Sequence, residues 1–453
     1  MSLTFSQNMA RHDSLAHIIA ISLLSGPWAA DGMKSRLRGL LGPPVKPHGL
    51  VPRVLRAFGH EPPPPSLRHL TQIVESDPGY LRMRNKDELR DGIARHSSLN
   101  IPSPIMQPVP GNPQSWSVPE IVTPGQLADW CGVASGHLDW LADCQRLERH
   151  VRHEQLRNYQ YRWIGKRGSG CRLIESPKFR LKAIQRRVLD AILSHIPVHD
   201  AAHAFRSLRS PLTCATPHVG KAIVLRIDLR DFFPSIPMRR VFGIFRTAGY
   251  PEAVARLLAG LFTNSVPNFV LDACQNVDAT QRRQLFVRYS VAHLTQGAPT
   301  SPALANLCAF KLDCRLNGLA RKFDASYTRY ADDLVFSGDR HFFRRLSRFR
   351  ILACAIAIDE GYDIRRRKTR EMPASQRQKT VGLVVNSRPA VDRREFDRLK
   401  ATLMNCVRFG SNTQNRGDHA DFQAHLRGKI AWVAGLSDAR RKKLLDLFHR
   451  IEW

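Results

Sequence analysis

The sequence predicts an α+β chain with a mainly helical N-terminal extension, and three observations carry that prediction. Short strand-like pieces at 222–228, 326–337 and 380–386 are separated by helical stretches at 239–263, 301–321 and 341–357, so the core mixes α and β. Proline divides the chain, because residues 1–124 hold 17 of its 29 prolines. Charge divides it too. Of 453 residues, 69 are Lys or Arg and 39 are Asp or Glu, a net charge of +30; residues 1–115 hold 13 and 8, leaving +25 on the remaining 338.

These figures exclude whole classes of protein. A chain that is 43% hydrophobic and 24% charged can bury sizeable cores, so wholesale disorder is ruled out, and its length suits two or three domains. The cationic excess makes a polyanion the leading partner. No stretch reaches eighteen apolar residues, so no spanning helix and no membrane partner are expected. Leu15–Leu24 has the length of a signal-peptide core, but Asp13 and His17 argue against it, and a soluble cytoplasmic protein is expected. Nine cysteines without a C-x-x-C pair suit reduced thiols better than a zinc ribbon or a disulfide scaffold.

Taken in order, the extension (1–115) shows helical spacing at Ser14–Leu24 and Ser66–Ser76, each starting at a serine suited to an N-cap. Two short helices bury little surface, so this module should dock on the rest of the chain or on a partner. Residues 101–119 read as an extended linker. Residues 180–196 form the clearest amphipathic helix, with Leu181, Ile184, Val188, Ala191 and Ile192 on one face. Ala222–Asp228 is apolar apart from Arg226 and ends in an acid. Ser326–Ser337 alternates around Asp332-Asp333, as a hairpin should. Thr380–Asn386 is a third apolar run, and 393–453 reads as helices with Phe396, Leu399 and Leu403 on one face and Leu444, Leu445, Leu447 and Phe448 on another.

The acids carry the chemistry. Asp228 at a strand end and Asp332 and Asp333 at a hairpin tip would repel one another if they converged, and raise their own pKa values. Two Mg²⁺ ions resolve this, because hard cations take carboxylate oxygens. Such metals, about 4 Å apart, clamp the attacking and leaving oxygens of an in-line phosphoryl transfer. Between the acids lies Gln296-Gly297-Ala298-Pro299-Thr300-Ser301-Pro302, whose glycine and prolines set a turn that a flat base pair could approach. An Asp-Asp hairpin is usually an ordinary polar turn. The ordered set of three blocks is much harder to obtain by chance.

In that order the blocks resemble motifs A, B and C of reverse transcriptases: DLRDFF (228–233), QGAPTSP (296–302) and YADD (330–333). AHAF (202–205), PHVGK (217–221) and VGLVVN (381–386) look like the bacterial retron type. The resemblance runs from about residue 121 to the end. It implies a right-hand polymerase, with fingers and palm over 116–384 and a helical thumb over 385–453. It also implies a nucleotidyltransferase using two Mg²⁺ ions, with Mn²⁺ as a substitute. Asp228, Asp332 and Asp333 match the metal-binding acids, and the Leu229 carbonyl a further ligand. Phe233 matches the aromatic gate against a ribose 2′-OH, and Gln296 and Gly297 the lining of the incoming dNTP. Arg172, with Lys166 or Arg167, matches the triphosphate cations, and Lys368 the lysine that protonates pyrophosphate. Asp231 should be structural or solvent-facing.

The same resemblance implies that the enzyme copies part of a structured non-coding RNA, as template and primer, into branched multicopy DNA. It implies antiphage defence beside an accessory effector protein. A stand-alone bacterial reverse transcriptase of abortive-infection or group II intron-derived type is the alternative, and a catalytically idle RNA-binding scaffold is the third reading. Two stretches depart from the retron pattern: Cys214-Ala215-Thr216-Pro217-His218 lacks the usual Asn, and Thr380-Val381-Gly382 stands for Val-Thr-Gly. Residues 264–293 are expected as an inserted loop or hairpin. No second carboxylate cluster or Cys/His-rich segment follows the thumb-like helices, so RNA trimming is expected to fall to another protein. Arg440–Lys443 and the cations of 178–187 suit a template–primer channel, held by backbone and shape.

Overall fold

The computed structural model describes residues 14–41, 49–59, 65, 67–84, 106, 116–165, 171–274 and 278–453. The chain forms two compact units: Met1–Pro197 with Phe233–Cys308, and Val198–Phe232 with Ala309–Trp453.

The first unit opens with five helices, Ser14–Leu24, Ala30–Leu41, Leu50–Phe58, Leu67–Glu75 and Pro78–Arg84. Only the first and fourth are expected from the sequence. The others escape a reading that treats proline as a breaker, because Pro52 and Pro78 sit in first turns, where a missing N–H costs nothing. Ile19, Leu23, Met33, Leu37, Val54, Leu70 and Val74 are fully buried together, so the module has a core of its own, which two short helices could not supply. Arg36 donates to the carbonyls of Ser22 (2.9 Å), Leu23 (2.9 Å) and Pro27 (3.0 Å), satisfying the open end of the first helix. The module docks within its unit: the Trp28 backbone N–H donates to Glu252, whose buried carboxyl also faces Arg246 and Arg36.

Strands β1 (Tyr159–Gly165) and β2 (Cys171–Pro177) form an antiparallel two-stranded sheet, followed by the helix Phe179–Ala191. That helix buries Leu181, Ile184 and Val188, as its periodicity requires. Two more helices, Met238–Thr247 and Glu252–Phe262, occupy the stretch expected as one, because Gly249 (φ 101°) and Pro251 break it. Residues 264–293 are largely helical rather than a loop or plain hairpin. The two-residue strands β4 (Thr263–Asn264) and β5 (His293–Leu294) pair at the base, and the helices Asn268–Asp272 and Ala279–Tyr289 lie between them.

The second unit is built on a four-stranded antiparallel sheet. β3 (Ile223–Asp228) lies inside it, between β7 (Asp333–Gly338) and β8 (Arg370–Pro373), and β6 (Ser326–Tyr330) flanks β7. Alternation decides what each face meets. Phe336 stacks on Tyr327 (4.8 Å between ring centroids) and meets Phe349 (4.9 Å) of the helix Leu346–Asp359. Val224 and Val335 share the opposite core with Leu383, Leu399, Leu403, Leu426 and Leu444. The run 380–386 is not one strand. It splits into β9 (Lys379–Thr380) and β10 (Leu383–Val384), joined to β11 (Ala390–Val391), because Val381 (φ 42°) and Gly382 (φ 89°) form a two-residue turn. Helices Arg393–Phe409, Phe422–Ala434 and Asp438–Phe448 end the chain, with Leu399, Leu403, Leu444 and Phe448 buried.

One polar pair lies at the centre of this unit. Arg329 and Asp313, both fully buried, form two charge-assisted hydrogen bonds of 2.8 and 2.6 Å, and the Tyr327 hydroxyl donates to the same carboxylate at 2.7 Å. A buried charge stripped of its partner is costly. Asp313→Ala is therefore expected to destabilise the protein by about 3–5 kcal/mol in urea unfolding, and an unchanged midpoint would contradict this account.

Candidate active site

The last residue of β3 meets the first of β7. Their register sets Asp228 directly opposite Asp333, and the two-residue turn Ala331-Asp332 carries the third acid. Ala331 adopts φ 55°, a cost normally avoided by glycine. The turn is held from outside, since the Leu229 N–H donates to the Asp332 carbonyl at 2.9 Å and Arg329 Nη1 donates to the Ala331 carbonyl at 3.3 Å.

A third segment closes on the end of β3. Leu229 bridges Ile364, the Arg230 N–H donates to the Asp363 carbonyl (2.7 Å), and the Arg365 N–H donates to the Asp228 carbonyl (2.8 Å). This backbone pairing delivers cations to the acids. Lys368 Nζ stands 3.1 Å from Asp228 Oδ2. Arg365 Nε stands 3.6 Å from Asp228 Oδ1, and its Nη2 3.3 Å from Asp231. Arg226 Nε lies 3.7 Å from Asp333 Oδ1.

The electrostatics show how strained the cluster is. Burial pushes the Asp333 carboxyl up to about 6; Arg226 and Lys368 pull it down, while the charges of Asp332 and Asp228 add to the rise. Asp228 is only 3% exposed, and its Oδ1 accepts no hydrogen bond from a described residue. Among the described residues no group of three or more His, Cys, Asp or Glu side chains is arranged so that it could hold a metal ion. What the fold supplies is a buried carboxylate oxygen that accepts from no described residue, and neighbouring acids faced by the side-chain cations Arg226, Arg365 and Lys368. That donor set suits hard divalent ions.

Asp228, Asp332, Asp333, Leu229 and Lys368 thus come together in the second unit. Phe233, Gln296, Gly297 and Arg172 belong to the first. There the Glu175 N–H donates to the Gln296 carbonyl at 2.8 Å. Gly297 (φ 137°) passes so close to β2 that an added Cβ would sit 2.8 Å from the Glu175 carbonyl. Arg172 is exposed on β2 opposite Ile164, and Phe233 is half-buried. Lys166 and Arg167 lie outside the described residues. Asp231 is held by Arg365, which agrees with a structural role.

Sequence reasoning missed Arg365, Arg226 and the support beneath the turn. Arg226 was signalled, since a lone cation in an apolar strand two residues before an acid reaches the diagonal cross-strand neighbour. Arg365 is hidden in a basic run. Phe232 is buried against Tyr362 (5.7 Å between centroids), with the Arg329 guanidinium 5.7 Å from its ring. His218, fully buried, bonds Ser337 (2.6 Å) and Thr328 (2.8 Å), and burial pushes it down to about 3, so it stays neutral. It pins the 211–218 segment to both strands of the hairpin.

The fold and the opposed acids define a polymerase-type palm. The family model for reverse transcriptase (RNA-dependent DNA polymerase) matches residues 164–385, which include all three blocks. The chain is 39% identical over 302 residues to the retron Mx65 reverse transcriptase of Myxococcus xanthus, covering 65% of each chain. It is 36% identical over 340 residues to the retron Mx162 reverse transcriptase of the same organism, covering 72% of this chain and 66% of the relative. Against the retron Ec86 reverse transcriptase of Escherichia coli it is 29% identical over 300 residues, covering 65% and 81%. Residues 164–385 thus match the reverse transcriptase family, and the relatives the chain is similar to are bacterial retron reverse transcriptases. The chain contains a reverse transcriptase domain of mixed helix and sheet, preceded by a helical N-terminal region. It spans 65% and 66% of the length of the two Myxococcus relatives.

The raised Asp333 carboxyl makes a stability prediction whose sign is fixed. Its folded pKa of about 6 lies above the ordinary 3.8, so its contribution is present at low pH and lost as pH rises through 6. In EDTA, Asp333→Asn is expected to be more stable than the parent by about 2 kcal/mol at pH 8 and by far less at pH 4. Thermal unfolding of both proteins at the two pH values checks it.

Proposed function

We propose that the chain is an RNA-directed DNA polymerase of retron type, copying a structured non-coding RNA into branched multicopy single-stranded DNA. It takes dNTPs and works with an accessory effector protein in antiphage defence. The observation that carries the polymerase reading is the opposition of Asp228 and Asp333 across β3 and β7, with Asp332 on the turn between strands. Similarity to the retron relatives supports the retron assignment. The RNA partner also suits a chain of net charge +30.

In this reading Asp228, Asp332, Asp333 and the Leu229 carbonyl hold two Mg²⁺ ions, or Mn²⁺ in their place. When bound, those ions stabilise charge on the attacking and leaving oxygens of phosphoryl transfer. The chain's own groups do the rest. Arg172, with Lys166 or Arg167, binds the triphosphate. Gln296 and Gly297 line the incoming nucleotide, and the missing side chain at 297 lets this loop lie against β2 at Glu175. Phe233 excludes a ribose 2′-OH. Lys368 carries a proton at Nζ for the departing pyrophosphate, and its contact with Asp228 holds it in place. Arg365 and Arg226 are positioning residues that limit repulsion among the acids.

Two experiments test this. Asp228→Asn and Asp332→Asn should each abolish dNTP incorporation on a primed RNA template, while RNA affinity, set by Lys and Arg, changes less than about threefold. Measurable synthesis by either variant would refute the metal-site assignment. Phe233→Ala should raise rNTP use relative to dNTP about tenfold or more while DNA synthesis persists; an unchanged ratio assigns Phe233 to the core alone.

A further inference from the structure

Among the described residues β1 pairs only with β2, so its outer edge meets no third strand. Along that edge lies a cavity of about 630 Å³, lined by Arg157, Gln160, Arg162, Trp163, Ser176 and Phe269 among others. Its size is that of a small-ligand site. None of these residues serves the acids of the second unit, and Phe269 comes from the inserted segment at 264–293.

The two aromatic rings have different tasks. Trp163 is fixed: its Nε1–H donates to the Val270 carbonyl at 2.8 Å, and its ring meets Tyr289 edge-on at 6.3 Å. It ties the inserted helix Asn268–Asp272 to β1 and so builds a wall. Phe269, on that helix, is 44% exposed, and the Arg157 guanidinium carbon stands 5.2 Å from its ring centroid. Arg157 Nε is buried yet donates to no described residue. A buried, unused donor beside an exposed ring is an arrangement that a ligand would complete.

Charge selects the ligand. Residues 146–165 contain five arginines and two glutamates. One of these, Glu148, is buried and its carboxylate is already engaged by the N–H groups of Asn158 and Tyr159 and the hydroxyl of Tyr161, although it also faces Arg157. The other, Glu154, lies on the rim. Stacking surface, guanidinium groups and the neutral donors of Gln160 and Ser176 together match a nucleotide: a flat base, a phosphate and a hydroxyl-bearing sugar. An extended peptide could add to the β1 edge, but it would use neither the ring nor the cations.

We propose that this cavity binds a single-stranded segment of RNA, one base stacking on Phe269 and its phosphates meeting Arg157 and Arg162. The site belongs to the first unit and would anchor a strand that is not being copied. The proposal rests on the reading of the chain as an RNA-using polymerase, and the test separates the two.

The test uses the full chain and a short single-stranded RNA carrying 4-thiouridine. Photo-crosslinks are expected at residues 157–163 and 269–273. Phe269→Ala should lose the crosslink at the inserted helix and weaken affinity for that RNA about tenfold, the loss of one base stack. Phe269→Trp should keep both. Arg157→Gln should reduce the salt dependence of binding by about one ion. Extension of a primed generic RNA template should stay within about twofold of the parent for all three variants, because the acids are untouched. Unchanged affinity for Phe269→Ala, or crosslinks confined to other segments, would overturn the proposal. So would displacement of the RNA from this site by polyglutamate as readily as by unlabelled RNA. Absence of primer extension in the parent, with the binding effects intact, would instead count against the polymerase reading.

Discussion

Two carboxylates set opposite each other at the end of a buried strand pair are the constraint around which the second unit is organised. Like charges in cross-strand positions destabilise a sheet, and here a third acid lies on the adjoining turn. The fold tolerates them by bringing cations from three directions: Arg226 from two residues earlier on β3, and Arg365 and Lys368 from the segment that pairs with the strand end. The compensation is partial. The Asp333 carboxyl stays raised to about 6, and Asp228 Oδ1 is buried without a hydrogen-bond donor among the described residues. An arrangement so poorly satisfied by the protein itself is what a centre that recruits divalent cations requires.

Holding mutually repelling groups in place demands a rigid base, and the base is polar. Beneath the turn, the buried Arg329–Asp313 pair reaches Tyr327, the Ala331 carbonyl and the Phe232 ring. The Arg329 backbone N–H donates to the Ala201 carbonyl, and its carbonyl accepts from the His203 N–H, so the 201–203 segment is laced to β6. His218 spans β6 and β7 through Thr328 and Ser337. Buried ion pairs add little net stability, since desolvation offsets attraction. Their geometric demands are stringent, however, and they fix a turn in which Ala331 adopts a positive φ.

In the first unit the helical extension and the inserted segment are integrated in different ways. The extension has its own apolar core and touches its unit through groups such as Trp28, Arg36 and Glu252. The inserted segment has little core of its own. It depends on β1 and β2, through Trp163 and through an apolar cluster of Leu173, Val266, Val270, Leu271 and Tyr289.

What the sequence by itself determined was local and periodic. The apolar run ending at Asp228, the alternation around Asp332-Asp333, the amphipathic face of 180–196 and the order of the three motif blocks are all legible, because period 2, period 3.6 and fixed spacing survive without a structure. The acids followed from that order, and Lys368 from the family resemblance the order carries. The tertiary structure decided everything that depends on residues meeting across long separations. Only packing of a shared core shows that the described residues of the proline-rich extension form five helices. Only a paired backbone forces Val381 and Ala331, residues that avoid positive φ, into turns. Arg365 is one cation in a basic run until the antiparallel pairing of 363–365 with the end of β3 brings it to Asp228. Asp313 and Arg329 are ordinary charged residues until burial removes water and sets them against each other as a charged pair. The physical reason is the same in each case: a strand or helix pattern is written in neighbouring residues, whereas charge compensation and strain depend on which distant residues the chain brings within a few ångströms.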